Sequence, residues 1–309
     1  MKEFYYPSQG AGSIHACRWE PEGEVRAVLQ IVHGVAEYIE RYDEFARYLN
    51  IRGFLVVGED HMGHGKSIGE GDTPGYFTGG WKTAVADTYE LFRQTKQEFP
   101  SVPYYLLGHS MGSFMARSFL FLYPNSGIRG AIIMGTGWQP APILLGGSAV
   151  TSFMVKREGD RVANASVQNL MFGAYNKPFP DAKTSYDWLN TDPEAVERYI
   201  ADPLCGFEVT NGLARDMIAG LRMIQNRRNL DKMIKTLPVL FVSGDHDPVG
   251  DLGKGVMAAQ RAFERAGMLR TKLKLYDGMR HEILNEPGHA QVYADILQWI
   301  EGIEGEKQN

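Results

Sequence analysis

The chain reads as an α/β protein, with a mostly parallel, doubly wound sheet of eight strands, helices on both faces and a mainly helical insertion. Three observations predict this. Strand-like runs alternate with amphipathic helical segments over both ends of the chain, the pattern of repeated βαβ units. Most of those runs are continuously apolar, as expected of strands covered on both faces. The alternation stops between about residues 137 and 229, where helix-like pieces are divided by Gly and Pro, and then resumes. The expectation is therefore a core of residues 1–136 and 233–309, with an inserted helical cap, or lid, at 137–232 above the strands' carboxyl ends.

Taken in order, residues 3–7 and 14–19 should pair as antiparallel strands across the Gly-rich turn at 8–12. Residues 26–32 make a continuous apolar strand. Phe45, Tyr48 and Leu49 fall at helical spacing within 38–51, and Gly53 ends that helix before a strand at 54–57. Residues 81–99 read as a second amphipathic helix, closed by Pro100. The apolar and aromatic run 102–107 leads into a helix-like 114–122 with apolar side chains on every face. Strands follow at 129–134, 237–242 and 271–276, and helices at 256–266 and 289–303.

A chain of 309 residues can bury a large core, and its 44% hydrophobic and 22% charged residues are those of an ordinary globular protein. A net charge of −5 argues against a nucleic-acid partner, which calls for a basic face. No run approaches the ~18 apolar residues of a membrane span, and the first residues lack the apolar core of a secretion signal. Cys17 and Cys205 lie far apart and neither has a metal-ligand companion, so reduced thiols in a cytoplasm are expected, without disulfide framework or structural zinc.

The stretch Gly108-His109-Ser110-Met111-Gly112 carries the chemistry, because a buried strand runs straight into a serine flanked by glycines. A sharp strand-to-helix turn lifts such a serine above the sheet edge and aims the first helix amides at the same point. A hydroxyl is a poor nucleophile at neutral pH and needs a histidine base oriented by a carboxylate. Phe241-Val242-Ser243-Gly244-Asp245-His246-Asp247 leaves one strand with acids in the following loop, and Asp277-Gly278-Met279-Arg280-His281-Glu282 leaves the next with a histidine. The order Ser110, Asp247, His281 is that found in α/β-hydrolases. Asp245 is a rival orienting acid two residues before Asp247. Backbone amides should supply an oxyanion hole: that of Met111, and that of Val35 in the loop His33-Gly34-Val35-Ala36-Glu37, where Gly34 permits a tight turn.

Other segments are less specific. Asp60-His61-Met62-Gly63-His64-Gly65-Lys66-Ser67 suggests a metal or phosphate loop, but its histidines have no third ligand nearby and its glycines complete no phosphate-binding pattern. It is expected to be a hydrogen-bonded loop supporting the site. His33 and His109 flank the site as supporting or packing residues, and Asp245 with Asp247 does not mark a two-carboxylate glycosidase.

These motifs together resemble the monoacylglycerol lipase and lysophospholipase group of α/β-hydrolases. His33-Gly34-Val35-Ala36-Glu37-Tyr38, followed by Arg41-Tyr42, is similar to that group's oxyanion segment. The Asp60 to Ser67 string resembles its second signature, and Gly108 to Gly112 its nucleophile elbow. Arg280-His281-Glu282-Ile283-Leu284-Asn285-Glu286, together with Asp187-Trp188-Leu189 and Asp202-Pro203-Leu204-Cys205-Gly206-Phe207, resembles bacterial members. The resemblance covers nearly the whole chain. It implies a serine hydrolase needing no cofactor or metal, acting on a mono-acylated lipid or a smaller carboxylic ester.

Within the cap, the apolar, small-residue-rich run 143–155, with Leu170-Met171-Phe172, could line an acyl tunnel, touch a lipid surface or simply pack on the core. Two rivals to an esterase remain. An aminopeptidase or amidase on the same scaffold would need cap carboxylates, for which Glu194, Glu197 and Asp202 are candidates. A catalytically silent ligand sensor would normally lack a member of the Ser110–His281–Asp247 set, and all three are present.

Overall fold

The structure is a computed structural model describing residues 1–305. Among these residues eight strands form one sheet. They are β1 (Lys2–Pro7), β2 (Ser13–Trp19), β3 (Ala27–Val32), β4 (Phe54–Glu59), β5 (Tyr104–His109), β6 (Gly130–Met134), β7 (Val239–Gly244) and β8 (Thr271–Tyr276), in spatial order β1-β2-β4-β3-β5-β6-β7-β8. β1 and β2 pair antiparallel, β2 joins β4 antiparallel, and every later pairing is parallel. From β3 the chain first winds outward to β4 and then crosses back to β5. The order therefore reverses between β3 and β5, and at that reversal the loops beyond the strands' carboxyl ends splay apart to leave a crevice.

Helices cover both faces. On one side lie α1 (Asp43–Asn50) and, from the end of the chain, α10 (His289–Gly305); on the other lie α2 (Trp81–Glu98), α3 (Met111–Leu122) and α9 (Lys254–Arg265). Strand periodicity sorts the side chains between them. In β5, Tyr104 and Leu106 join Phe92 and Phe119 in one core, while Tyr105 and Leu107 join Ile296 and Ile300 in the other.

The strands run two residues past the point where the apolar pattern stops. β4 continues through Gly58 and Glu59, β5 through Gly108 and His109, and β7 through Ser243 and Gly244, each still paired with its neighbour. A backbone ladder needs only N–H and C=O groups, so it passes through glycines and polar residues that hydrophobic patterning cannot register. The helix expected from residue 38 begins as a tight 3₁₀ turn, Ile39–Tyr42, before α1, and the Ile39 amide at its start donates to the Asp60 carboxylate.

Between β6 and β7 the chain carries α4 (Ala141–Glu158), α5 (Ala165–Phe172), α6 (Pro193–Ala201), α7 (Asn211–Ile224) and α8 (Arg227–Leu230). Helix α7 joins this excursion to the core, since Leu213, Met217 and Leu221 extend the cluster that contains Trp81 and Phe119. Trp188, Leu189, Tyr199 and Cys205 form a separate small core with Val249. No described helix is long and apolar enough to cross a membrane. Both cysteines are buried and unpaired.

Candidate active site

Ser110 sits between β5 and α3 with φ 53° and ψ −120°, a conformation a non-glycine residue adopts only under constraint. Its neighbours supply that constraint. A Cβ on Gly112 would lie 2.0 Å from the Val32 carbonyl oxygen, and one on Gly108 2.3 Å from that of Gly112. The turn can therefore close against β3 only with glycine at both positions. The Ser110 amide donates to the Met134 carbonyl at 3.0 Å. That leaves the side chain at the carboxyl edge of the sheet, beside the first amides of α3.

Asp247 and His281 meet. The imidazole Nδ1 lies 3.0 Å from Asp247 Oδ1, and both side chains are buried. Asp247 also accepts from the Val249 amide at 2.9 Å and the Ser243 hydroxyl at 3.0 Å. Burial alone would raise its pKa, but the facing His281 and these donors outweigh it and hold the carboxyl below its ordinary range. Asp245 is turned elsewhere, towards the His246 ring and the Gly278 amide. With Asp247 at Nδ1, the Nε2 edge of His281 is left for the crevice. Ser110 and His281 line the same cavity, without a hydrogen bond between them in this structure.

The loop after β3 closes the third side. His33 Nδ1 donates to its neighbour's carbonyl, that of Gly34, at 2.7 Å, while Nε2 accepts from the His61 amide at 2.9 Å. His61 Nε2 in turn donates to the His33 carbonyl at 3.0 Å. Burial drives His33, His61 and His64 well below the ordinary imidazole range, His61 to about 3 and His64 to about 4, so all three are neutral. The 60–67 segment is thus a bonded support. Asp60 holds the Ile39 and Lys66 amides and the His15 ring. Among the described residues no group of three or more His, Cys, Asp or Glu is placed to hold a metal.

A buried charge network behind this loop has no signal in spacing. Glu37 accepts from the Gly34 amide at 2.5 Å and from Tyr42, lies 3.0 Å from His109 Nδ1, and pairs with Arg41 at 2.8 Å. Arg41 forks onto Glu282, next to His281, at 2.6 and 2.8 Å. Burial would raise the Glu37 carboxyl, but His109 and Arg41 hold it well below its usual range. Burial would likewise lower His109, and the Glu37 contact raises it instead. Loops 241 residues apart in sequence are thereby locked together. Ala36, at φ 53°, is held from the other side: its carbonyl accepts from the Tyr199 hydroxyl at 2.9 Å and the Gly206 amide at 3.0 Å.

The cavity above Ser110 has a volume of about 320 Å³. Val35, Ala36 and His109 form its floor, and Phe172, Trp188, Leu189, Phe207 and Val209 its upper walls. Of the apolar run 143–155 none lines it, and that run is not packed away either: Ile143, Leu145 and Phe153 are each more than half exposed. Glu194, Glu197 and Asp202 do not reach the cavity. Glu194 and Glu197 project from α6 into solvent, and Asp202 accepts from the Tyr38 hydroxyl at 2.7 Å.

Known proteins align with this geometry over almost its whole length. The family model Hydrolase_4, described as serine aminopeptidase, S33, matches residues 23–288. The monoacylglycerol lipase of Mycolicibacterium smegmatis is 28% identical, over 91% of this chain and 90% of its own. Human monoglyceride lipase is 29% identical, over 94% and 87%. A thermostable carboxyl esterase from Bacillus coagulans, solved with glycerol, superposes with a TM-score of 0.91 at 28% identity, over 98% of both chains. A family match that begins just after β2 and ends at the start of α10 places this chain in the Hydrolase_4 family of α/β-hydrolases.

Proposed function

We propose that the protein is a serine carboxylic-ester hydrolase, acting through an acyl-enzyme on monoacylglycerols, lysophospholipids or smaller acyl esters. The observation that carries this is the convergence of the strained Ser110 turn and the buried Asp247–His281 pair on one cavity. Ser110 Oγ attacks the ester carbonyl while His281 Nε2 takes its proton, and the same proton then goes to the departing alcohol. Water repeats the sequence on the acyl-enzyme and releases the carboxylic acid. Asp247 holds the Nδ1–H tautomer and stabilises the imidazolium. The missing Ser110–His281 hydrogen bond is one that the bound substrate completes, since such contacts often tighten only in the complex.

The amides of Val35 and Met111 serve as the oxyanion donors. The Val35 N–H belongs to the peptide whose carbonyl His33 holds, and in a trans peptide the two groups point oppositely. Fixing that carbonyl towards His33 turns the donor away from His33, to the cavity side. Loss of one such donor costs about 10²- to 10³-fold in turnover.

Residues 137–232 act as the cap. The exposed apolar face of α4, with Lys156 and Arg157 in its last turn, supports transient contact with a lipid surface that presents the substrate. The buried free thiols favour a reducing, cytoplasmic setting. The family description favours a second reading, an aminopeptidase. A free amino terminus needs an available carboxylate; Glu37 and Glu282 in the cavity wall are both committed to Arg41, which leaves Glu208, exposed in the same wall, as the candidate for that reading. Rates on monoacylglycerols, lysophospholipids and nitrophenyl esters of graded chain length should far exceed those on amino-acid anilides. Preferential anilide cleavage would replace the esterase with the aminopeptidase.

A further inference from the structure

We propose that Trp188 is a positioning residue for His281, mounted on a cap segment, residues 187–191, that is a fixed clamp and not part of a moving lid. The proposal rests on the reading of His281 as the general base.

The clamp is visible in where the backbone groups go. The Glu282 amide, one residue after His281, donates to the Leu189 carbonyl at 2.8 Å. Arg280, one residue before it, donates to the Asp187 and Asn190 carbonyls at 2.5 and 3.0 Å. Asn190 reaches back to the Asn285 carbonyl at 2.9 Å. Glu286 accepts from the Thr191 amide at 3.1 Å, from the Thr191 hydroxyl and from the Arg280 amide at 2.8 Å. Asn190, Glu282 and Glu286 are nearly fully buried, so separating the two segments would strand several polar groups without water. Helix α4 is tied instead to its cap neighbour α7, through Arg222 to the Ser148 hydroxyl at 3.2 Å, and its outer face is in solvent.

Trp188 sits at the centre of this clamp, only 7% exposed. Its ring centroid is 5.1 Å from that of His281, and its far side meets Tyr175 at 4.8 Å. The indole N–H donates to the Ser185 carbonyl, which holds the ring, and the Trp188 amide donates to Asn176, which holds the backbone that carries it. His109 lies on the imidazole as well, at 4.7 Å, and Asp247 holds Nδ1. His281 is thereby confined on every side but its Nε2 edge.

Confinement by an aromatic ring has two consequences that an aliphatic side chain would not reproduce together. It keeps water from the Asp247–His281 hydrogen bond, which strengthens it. It also sets an electron-rich ring, tilted 46° to the imidazole, beside the imidazolium that forms when Ser110 gives up its proton, an attraction that grows only as the charge develops. Trp188 should therefore act on turnover more than on substrate affinity, although it also walls the cavity.

The test is steady-state hydrolysis of a short-chain nitrophenyl ester, with the rate of fluorophosphonate labelling of Ser110, on the full chain. Trp188→Leu should lower kcat about three- to thirty-fold, with a smaller change in KM, since Trp188 also walls the cavity, and labelling slowed in parallel. Trp188→Phe, which keeps a ring on the imidazole, should recover most of the loss. Arg280→Met loosens the clamp without touching Trp188 and should also lower kcat at constant KM; it serves if Trp188→Leu does not fold. Unchanged kcat in Trp188→Leu or Arg280→Met, or equal losses in the Leu and Phe variants, would overturn the proposal. If Ser110 of the wild type is not labelled, the hydrolase reading falls and takes this inference with it. A labelled wild type with indifferent variants removes the inference alone.

Discussion

Helix α3, MGSFMARSFLFL, and helix α4, APILLGGSAVTSFMVKRE, are both apolar around most of their circumference, yet eleven of the twelve residues of α3 are buried and only two of the eighteen of α4. Absence of a polar face says that a helix tends to be covered, without saying by what. For α3 the cover is the sheet and the helices beside it. In α4 Leu144 and Thr151 face inward, while Ile143, Leu145, Val150 and Phe153 have no protein over them. The difference divides the molecule into a covered floor that positions Ser110 and an exposed apolar surface on the excursion between β6 and β7.

The sharpest way to break that division is to add one methyl group to each helix. In Gly112→Ala the new Cβ meets the Val32 and His33 carbonyls at 2.0 and 2.4 Å, so the variant should fail to fold or lose all activity. In Gly146→Ala it meets nothing within 4 Å, and helix propensity should raise stability by about 0.5–1 kcal/mol. A well-folded, active Gly112→Ala would show that the turn is less tightly closed than described here. Truncation probes the same contrast more gently. Phe119→Ala should cost about 3–5 kcal/mol in urea unfolding, against less than about 0.5 kcal/mol for Phe153→Ala. Similar losses would mean that α4 is covered in solution.

The lipid-facing role proposed for α4 is separable from stability. The double variant Ile143→Ser with Phe153→Ser should cut hydrolysis of monoacylglycerol in vesicles several-fold while leaving soluble nitrophenyl esters unaffected. An equal fall on both substrates would tie α4 to the chemistry instead. A last effect concerns a carboxyl buried on the α3 side of the sheet. Glu59, bonded to Thr88 and Gln30, is pushed up to about 8 by burial from an ordinary value of 4.5. The native state keeps a proton that the unfolded chain has lost between these values, so wild-type stability declines as pH rises through that window. Glu59→Gln lacks this titration. Its melting temperature relative to wild type should therefore climb from pH 5 to pH 8.5, and a constant difference would place Glu59 in a wetter setting.

Much of this architecture was legible in the chain because continuous apolar runs need no context to be read as covered strands. The loops bearing Ser110, Asp247 and His281 follow from strand ends, and the glycines beside Ser110 mark the turn. The last two residues of β4, β5 and β7 were not legible, since Gly58, Gly108 and Ser243 pair through backbone alone. The chain favoured Asp247 with Asp245 as its rival, and the turn sends Asp247, not Asp245, to the His281 ring. The Glu37–Arg41–Glu282 ties and the Trp188 contact join residues far apart in sequence, where no periodicity operates, although the family-like segments of the chain contain them. The environment of α4 stayed open because its residues suit a core, a tunnel wall or a lipid surface alike.

The central claim is that Ser110 is the nucleophile activated by His281. Fluorophosphonate treatment followed by peptide mass mapping, read beside the turnover of Ser110→Ala, tests it most directly. The account predicts a single modified site at Ser110 and a loss of turnover on the order of 10³- to 10⁶-fold in the alanine variant. Modification elsewhere, or near-normal ester cleavage without the Ser110 hydroxyl, would contradict it.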